Sequence, residues 1–201
     1  MKFVASAIIS VLLMGVPPIL CQTLPDVARQ HGGSATSIIN LDGPVAYLPE
    51  LMSTSDLVVH ARVVVVEARL STDQSDVVTR YTLAPIQAFK QRQATSVATP
   101  GAISQIIVQR SGGRLLTPDG LRLSTSVNVY PESECFVVGE EVVVFLTYRA
   151  DISAYSFTGG EFGAYRIRAG IVTPMVQGVV ARRQDQPIAA AVFFQGLQRL
   201  R

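Results

Sequence analysis

A mainly β fold, a small barrel with short helical pieces at its ends, is what this sequence predicts, and three observations predict it. Runs rich in β-branched residues dominate from Leu57 onward. Turns built from glycine, proline and short polar clusters separate at least five such runs. Helical signals are confined to a short piece around Pro49 and a tail after Pro187. Strands in series with helices only at the ends belong to a barrel or a sandwich.

The chain opens with an export signal. Lys2 gives a basic start, residues 3–13 form an uncharged apolar run, and Gly15, Pro17 and Pro18 break it before Cys21. That is the layout of a secretory signal peptide, residues 1–21. The run falls short of the ~20 apolar residues of a membrane span, and no later segment reaches that length. A secreted or periplasmic protein with no transmembrane span is expected. Pro18, Ile19 and Leu20 are bulky for lipoprotein processing, which argues against a lipid anchor at Cys21. Cleavage after Cys21 leaves Cys135 as the sole cysteine and excludes a disulfide framework.

Residues 22–44 contain Gly32-Gly33, Ser34, Thr36, Ser37 and Gly43-Pro44 but few large apolar side chains, and read as a flexible leader. The β-barrel domain is assigned to residues 45–175. It begins with a short helical turn, Pro49-Glu50-Leu51-Met52, stopped near Ser53-Thr54-Ser55.

Residues 57–69 form a long strand whose odd positions, Leu57, Val59, Ala61, Val63 and Val65, make one apolar face. His60, Arg62, Val64 and Val66 take the other. Residues 71–76 are a polar turn, and 77–89 return as the second arm of a long hairpin. Pro85 cannot donate a ladder hydrogen bond, so that arm is bulged or at an edge there. Residues 102–110 alternate again, with Ile103, Ile107 and Gln109 set against Ile106 and Val108. Ser111-Gly112-Gly113 and Pro118-Asp119-Gly120 bracket a short piece at Leu115-Leu116. Residues 142–148 are an uninterrupted apolar run, as expected for a strand covered on both faces. Tyr155-Ser156-Phe157 and residues 162–167 are expected to form a hairpin around Gly159-Gly160. Residues 176–201 are assigned as a linker and C-terminal helix. There Ile188, Ala191, Val192, Phe193, Leu197 and Leu200 recur at three- and four-residue spacings, which predicts a helix laid on the barrel. A long, bent first hairpin is what curls around a barrel. A partly open OB-like barrel is therefore the expected form, with an immunoglobulin-like sandwich as the alternative.

Several of these pieces occur in an order that resembles a family of exported bacterial proteins of unassigned function. They are Ser55-Asp56-Leu57-Val58-Val59, a return strand ending at Phe89-Lys90, the Gly112-Gly113 turn, Cys135-Phe136-Val137-Val138-Gly139-Glu140-Glu141, and Gly163-Ala164-Tyr165-Arg166-Ile167. The resemblance covers roughly residues 45–170. In architecture such proteins are similar to netrin-like OB barrels, the class that includes tissue inhibitors of metalloproteinases. The resemblance implies a binding role, for which those inhibitors use an N-terminal cysteine held by disulfides. Here that cysteine would be Cys21, with only Cys135 to pair with it.

Composition excludes several functions. The chain carries a formal charge of +2, and Lys2 is the only charged residue before position 22, so the exported part stands at +1. A charge so near zero leaves no footprint for nucleic acid. Tyr81, Tyr148, Tyr155, Phe157, Phe162 and Tyr165, with Arg80, Arg166 and Arg168 near some of them, could stack on single-stranded bases. Export and the charge balance argue against it.

No catalytic, cofactor-binding or metal site is assigned. Cys135 follows the acidic neighbours Glu132 and Glu134, which raise a thiol pKa, and the only histidines are His31 in the leader and His60 in mid-strand. Two histidines without a cysteine pair match no zinc spacing. Asp73, Ser75 and Asp76 supply too few oxygens for calcium and suit a hairpin tip. Glu132, Glu134, Glu140, Glu141 and Glu161 are the carboxylates from which a hydrolase pair could be drawn. Glu140-Glu141 reads better as the polar turn before a buried strand. Gly112-Gly113 and Gly159-Gly160 are turns rather than phosphate loops. The expectation is an exported, non-enzymatic binding module without cofactors, whose partner is a protein of the envelope or the exterior, with a secreted protease as one candidate. The rivals are a secreted hydrolase and a structural envelope component.

Overall fold

The computed structural model describes residues 22–39, 47–92, 105–127, 136–175 and 186–200. Outside these lie the predicted signal peptide with Cys21, the leader beyond Ile39, Ile103, Glu132, Glu134, Cys135, and most of the predicted linker. The described chain is mainly β. Its elements are α1 (Leu24–Gln30), β1 (Ser34–Ile39), α2 (Leu48–Thr54), β2 (Leu57–Leu70), β3 (Val77–Gln91), β4 (Ile106–Ser111), β5 (Gly113–Leu116) and β6 (Arg122–Val127). Then come β7 (Glu141–Arg149), β8 (Ala154–Phe157), a 3-10 turn (Gly160–Gly163), β9 (Ala164–Arg168), β10 (Ile171–Pro174), β11 (Ile188–Ala189) and α3 (Ala190–Arg199).

An eight-stranded sheet runs β11-β10-β9-β7-β2-β3-β4-β8, and β8 also pairs with β7. All its pairs are antiparallel except β4 with β8, which meet in parallel at Val108 and Tyr155. The long hairpin is present: β2 and β3 pair antiparallel from Leu57 and Gln91 to Leu70 and Val77. A register shift between His60 and Ala61 places Ala61 opposite Pro85, as the missing N–H requires. A further shift between Val63 and Val65 corrects the expected apolar face. Leu57, Val59, Ala61 and Val63 point into the core, but Val65 is 40% exposed and Val66 packs inward instead. One extra residue in a strand with period two exchanges its faces.

β7 meets its expectation of double coverage from Val142 to Leu146, while Tyr148 at its far end is 44% exposed. Val142, Val144 and Leu146 enter an inner core with Leu57, Tyr81, Val108 and Phe157, while Val143 and Phe145 enter a second core. That second core is roofed by Leu51 and Met52 of α2 and by Phe193 and Leu197 of α3. The two predicted helical pieces therefore lie on one outer face of the sheet. α2 has no basic residue in its last turn, and Lys90 of β3 supplies one, donating to the carbonyls of Met52 and Ser53. Burial pushes the Lys90 amine below its ordinary value.

Two further expectations are corrected. The leader is folded as far as it is described. α1 and β1 pack Leu24, Ala28 and Ala35 against Val77, Leu121 and Leu123, and β1 pairs in parallel with β6 in a three-stranded sheet, β1-β6-β5. Thr23 caps α1 and Pro25 sits in its first turn, so a short helix forms despite few large apolar residues. Second, β8 and β9 are not a hairpin. Both pair with the same edge of β7, β8 along Leu146 to Arg149 and β9 along Glu141 to Val144. The intervening residues loop out of line while Thr158 N–H stays bonded to the Phe145 carbonyl. At Gly163 a Cβ would lie 2.2 Å from the Thr158 carbonyl oxygen, so only glycine lets this loop close. Among the described residues, no helix is long and apolar enough to cross a membrane.

Candidate functional site

Each candidate carboxylate that can be placed is engaged by arginine. Glu140 turns inward at the start of β7, with Arg166 Nε at 3.5 Å and Arg168 Nη2 at 2.6 Å. Its neighbour Glu141, one residue along the strand, projects to the opposite face. It accepts from Arg62 at 2.8 Å and contacts His60 Nε2 at 3.1 Å. Arg62 first, and His60 second, hold the Glu141 carboxyl below the ordinary carboxylate range. His60 is buried beneath Phe194 of α3, ring centroids 5.1 Å apart. His31 ends α1 in solvent. The two histidines thus serve different elements.

Asp73 and Asp76 do form a hairpin tip. Asp73 accepts from the hydroxyls of Ser71 and Ser75, which hold its carboxyl below the ordinary range, and Asp76 accepts from Ser37. Among the described residues there is no group of three or more His, Cys, Asp or Glu able to hold a metal ion. Tyr81, Phe157 and Tyr165 are buried core residues, so they cannot stack on bases. Arg166 is buried as well, its guanidinium 5.8 Å from the Phe136 ring centre.

Glu161 is the most unusual of the set. It lies in the 3-10 turn and its Oε1 accepts from Arg110 Nη2 at 2.8 Å, with both side chains only 5% exposed. Arg110 continues the inward row Ile106, Val108 on β4, and its Nε donates to the Ser111 carbonyl. The backbone makes room for it at the corner between β4 and β5. There Gly112 has φ +95°, and a Cβ would stand 3.4 Å from Arg110 Nη2. The loop closed by Gly163 brings Glu161 to this arginine. The pair lines an open pocket of about 270 Å³. Val127, Ile152 and Phe157 supply an apolar wall, and Arg149 stands at its edge, bidentate to Asp151 at 3.0 and 2.9 Å. A buried ion pair costs more desolvation than a simple core requires. Placed on a pocket wall, it offers fixed polar groups in an apolar setting.

A second feature lies at the other end of β7. Val63 N–H donates to the Glu140 carbonyl and Gly139 N–H to the Val63 carbonyl, joining the turn before β7 to the bulge of β2. Four exposed valines flank this junction in the chain: Val64 (36%) and Val65 (40%) in β2, Val137 (58%) and Val138 (63%) in the turn.

Sequence reasoning named Glu161 but missed its partner. The available signal was phase, since Arg110 falls on the same parity as inward Ile106 and Val108. The valine rim was missed because a bulge at Val64 carries no local mark in a run of valines. No protein-family model matches the chain, and no curated protein matches it.

Proposed function

We propose that this chain is an exported, non-enzymatic binding module on an OB-like barrel, and that its partner is another protein. The observation that carries the protein partner is the rim of four exposed valines, joined by backbone hydrogen bonds between the β2 bulge and the turn before β7. Exposed apolar side chains gathered about one junction of a fold are a mark of interaction surfaces.

The barrel reading is supported by a circuit of pairings, β7 to β2 to β3 to β4 to β8 and back to β7. Each of these five strands contributes to the same inner core. One circuit around one core favours a five-stranded Greek-key barrel over two stacked sheets. The export reading rests on residues 1–21. The non-enzymatic reading is supported by the commitment of Glu140, Glu141 and Glu161 to separate arginines, which leaves them unable to work as a carboxylate pair.

The test is affinity capture by the exported protein from its own secretome and envelope, followed by titration with the purified partner. A stoichiometric partner whose affinity falls at least tenfold with Val138→Asp is the expected result. Capture that is indifferent to both Val138→Asp and Val65→Asp overturns the assignment of the rim.

A further inference from the structure

We infer that the outer face of the three-stranded sheet is a docking surface for an anionic lipid bilayer. The inference does not rest on the valine rim or on its protein partner. Ala35 of β1 and Leu123 and Thr125 of β6 are buried, so the residues that alternate with them stand on the opposite face, toward solvent. Register then fixes which side chains are neighbours there. Leu116 of β5 lies across from Arg122 of β6, and Arg114 lies across from Ser124, which is flanked on its other side by Thr36 of β1.

Charge is the first argument. Arg114 and Arg122 are diagonal neighbours across the β5–β6 pair, a separation of about 7–8 Å that long side chains span. Other arginines, among them Arg62, Arg110 and Arg149, have a carboxylate partner. Arg114 and Arg122 are exposed, and among the described residues neither has one. The outward positions of the face include no Asp or Glu. Two like charges this close repel each other, and negative charge brought from outside relieves that repulsion. Thr36 and Ser124, bonded to each other at 2.7 Å, are short, so the two guanidiniums stand proud of the sheet.

The apolar residues decide between anions. Leu116 beside Arg122 is 69% exposed, and Ile38 toward the end of β1 is 61% exposed on the same face. No aromatic side chain stands among the outward positions, so the face lacks the stacking platform that single-stranded nucleic acid uses. A bilayer uses both kinds of residue present. Guanidiniums meet headgroup phosphates while aliphatic side chains enter the boundary with the acyl chains. Two arginines near an anionic leaflet strengthen binding on the order of thirtyfold.

The exported protein is mixed at low ionic strength with vesicles of equal parts phosphatidylglycerol and phosphatidylcholine, or of phosphatidylcholine alone, and sedimented. Binding to the anionic vesicles is expected to be at least tenfold tighter and to fall as salt is added. Arg114→Gln with Arg122→Gln is expected to weaken it at least tenfold at an unchanged unfolding temperature, and Leu116→Ser with Ile38→Ser at least threefold. Val138→Ser, on the rim, is expected to leave it unchanged. Equal binding to the two vesicle types, none included, overturns the inference, as does binding undiminished by either double variant. Retention on immobilised heparin through the same two arginines, without sedimentation by anionic vesicles, overturns it in favour of an acidic polysaccharide.

Discussion

Glu161 and Glu141 make the same bond in two different surroundings. Each carboxylate accepts from an arginine Nη2 at 2.8 Å, yet Arg110 and Glu161 are both 5% exposed while Arg62 is 56% and Glu141 34% exposed. The lesson is that distance does not set the energy of an ion pair. In water the Coulomb gain is screened and the side chains must be held in place, so such a pair is worth ~0–1 kcal/mol. In a dry site, removing one partner strands a charge. The comparison can be broken at either end, and the effects should fall in the order of burial.

The largest effect is expected from Glu161→Ala, which leaves Arg110 without its described carboxylate. A loss of about 3–5 kcal/mol in urea unfolding is the expected outcome. The double replacement Arg110→Met with Glu161→Leu separates stability from function, because apolar substitutes for a buried pair are neutral or stabilising by ~1–4 kcal/mol. A double variant as stable as wild type indicates that the pair is kept for the pocket. A double variant as unstable as Glu161→Ala would show that the pair itself holds the β4 end of the sheet. Gly163→Ala acts on the same pair from a distance. The added Cβ meets the Thr158 carbonyl at 2.2 Å and the Phe145 carbonyl at 3.2 Å, both backbone, so the loop carrying Glu161 must shift. Overpacking of this kind costs about 1–3 kcal/mol, and the same unfolding measurement checks it.

This difference between the two glutamates was not legible in the sequence, although much of the surrounding fold was. Strand β7 declared itself, because Val142 to Leu146 are apolar at every position and each faces one of two cores. The long hairpin and its irregularity at Pro85 were also readable, since an imide nitrogen has a local consequence. What failed was whatever depended on register or on distant partners. The bulge after Val63 is a count of one residue against another strand, and nothing in Val63-Val64-Val65-Val66 marks it. α1 and β1 fold because β6 and the far end of the hairpin supply their apolar contacts, a tertiary cause absent from residues 22–39 themselves. Glu161 meets Arg110 across 51 positions of chain through a loop whose closure depends on Gly163. Local pattern carries faces and turns; it carries no long-range pairing.

The exposed member of the comparison is sharpened by pH. Arg62 and then His60 hold the Glu141 carboxyl below its ordinary value, so its folded value lies below its unfolded one. Such a group contributes stability that is present above the unfolded value, near 4.5, and lost as pH falls through the lower folded value. Glu141→Gln is therefore expected to cost less than about 1 kcal/mol at pH 7. The gap from wild type should close as the pH is taken from 5 down to about 3, followed by thermal unfolding. A gap that widens on acidification contradicts the assignment of the stabilised form as the charged one.

The smallest effect belongs to Asp151→Asn, which removes the charge from an ion pair in which both side chains are more than half exposed. Arg149 holds the Asp151 carboxyl below its ordinary range, yet both groups are hydrated, and no measurable change in unfolding temperature is expected. A fall in unfolding temperature would show that Arg149 and Asp151 hold the turn between β7 and β8 despite their exposure, and would put this pair beside the buried one.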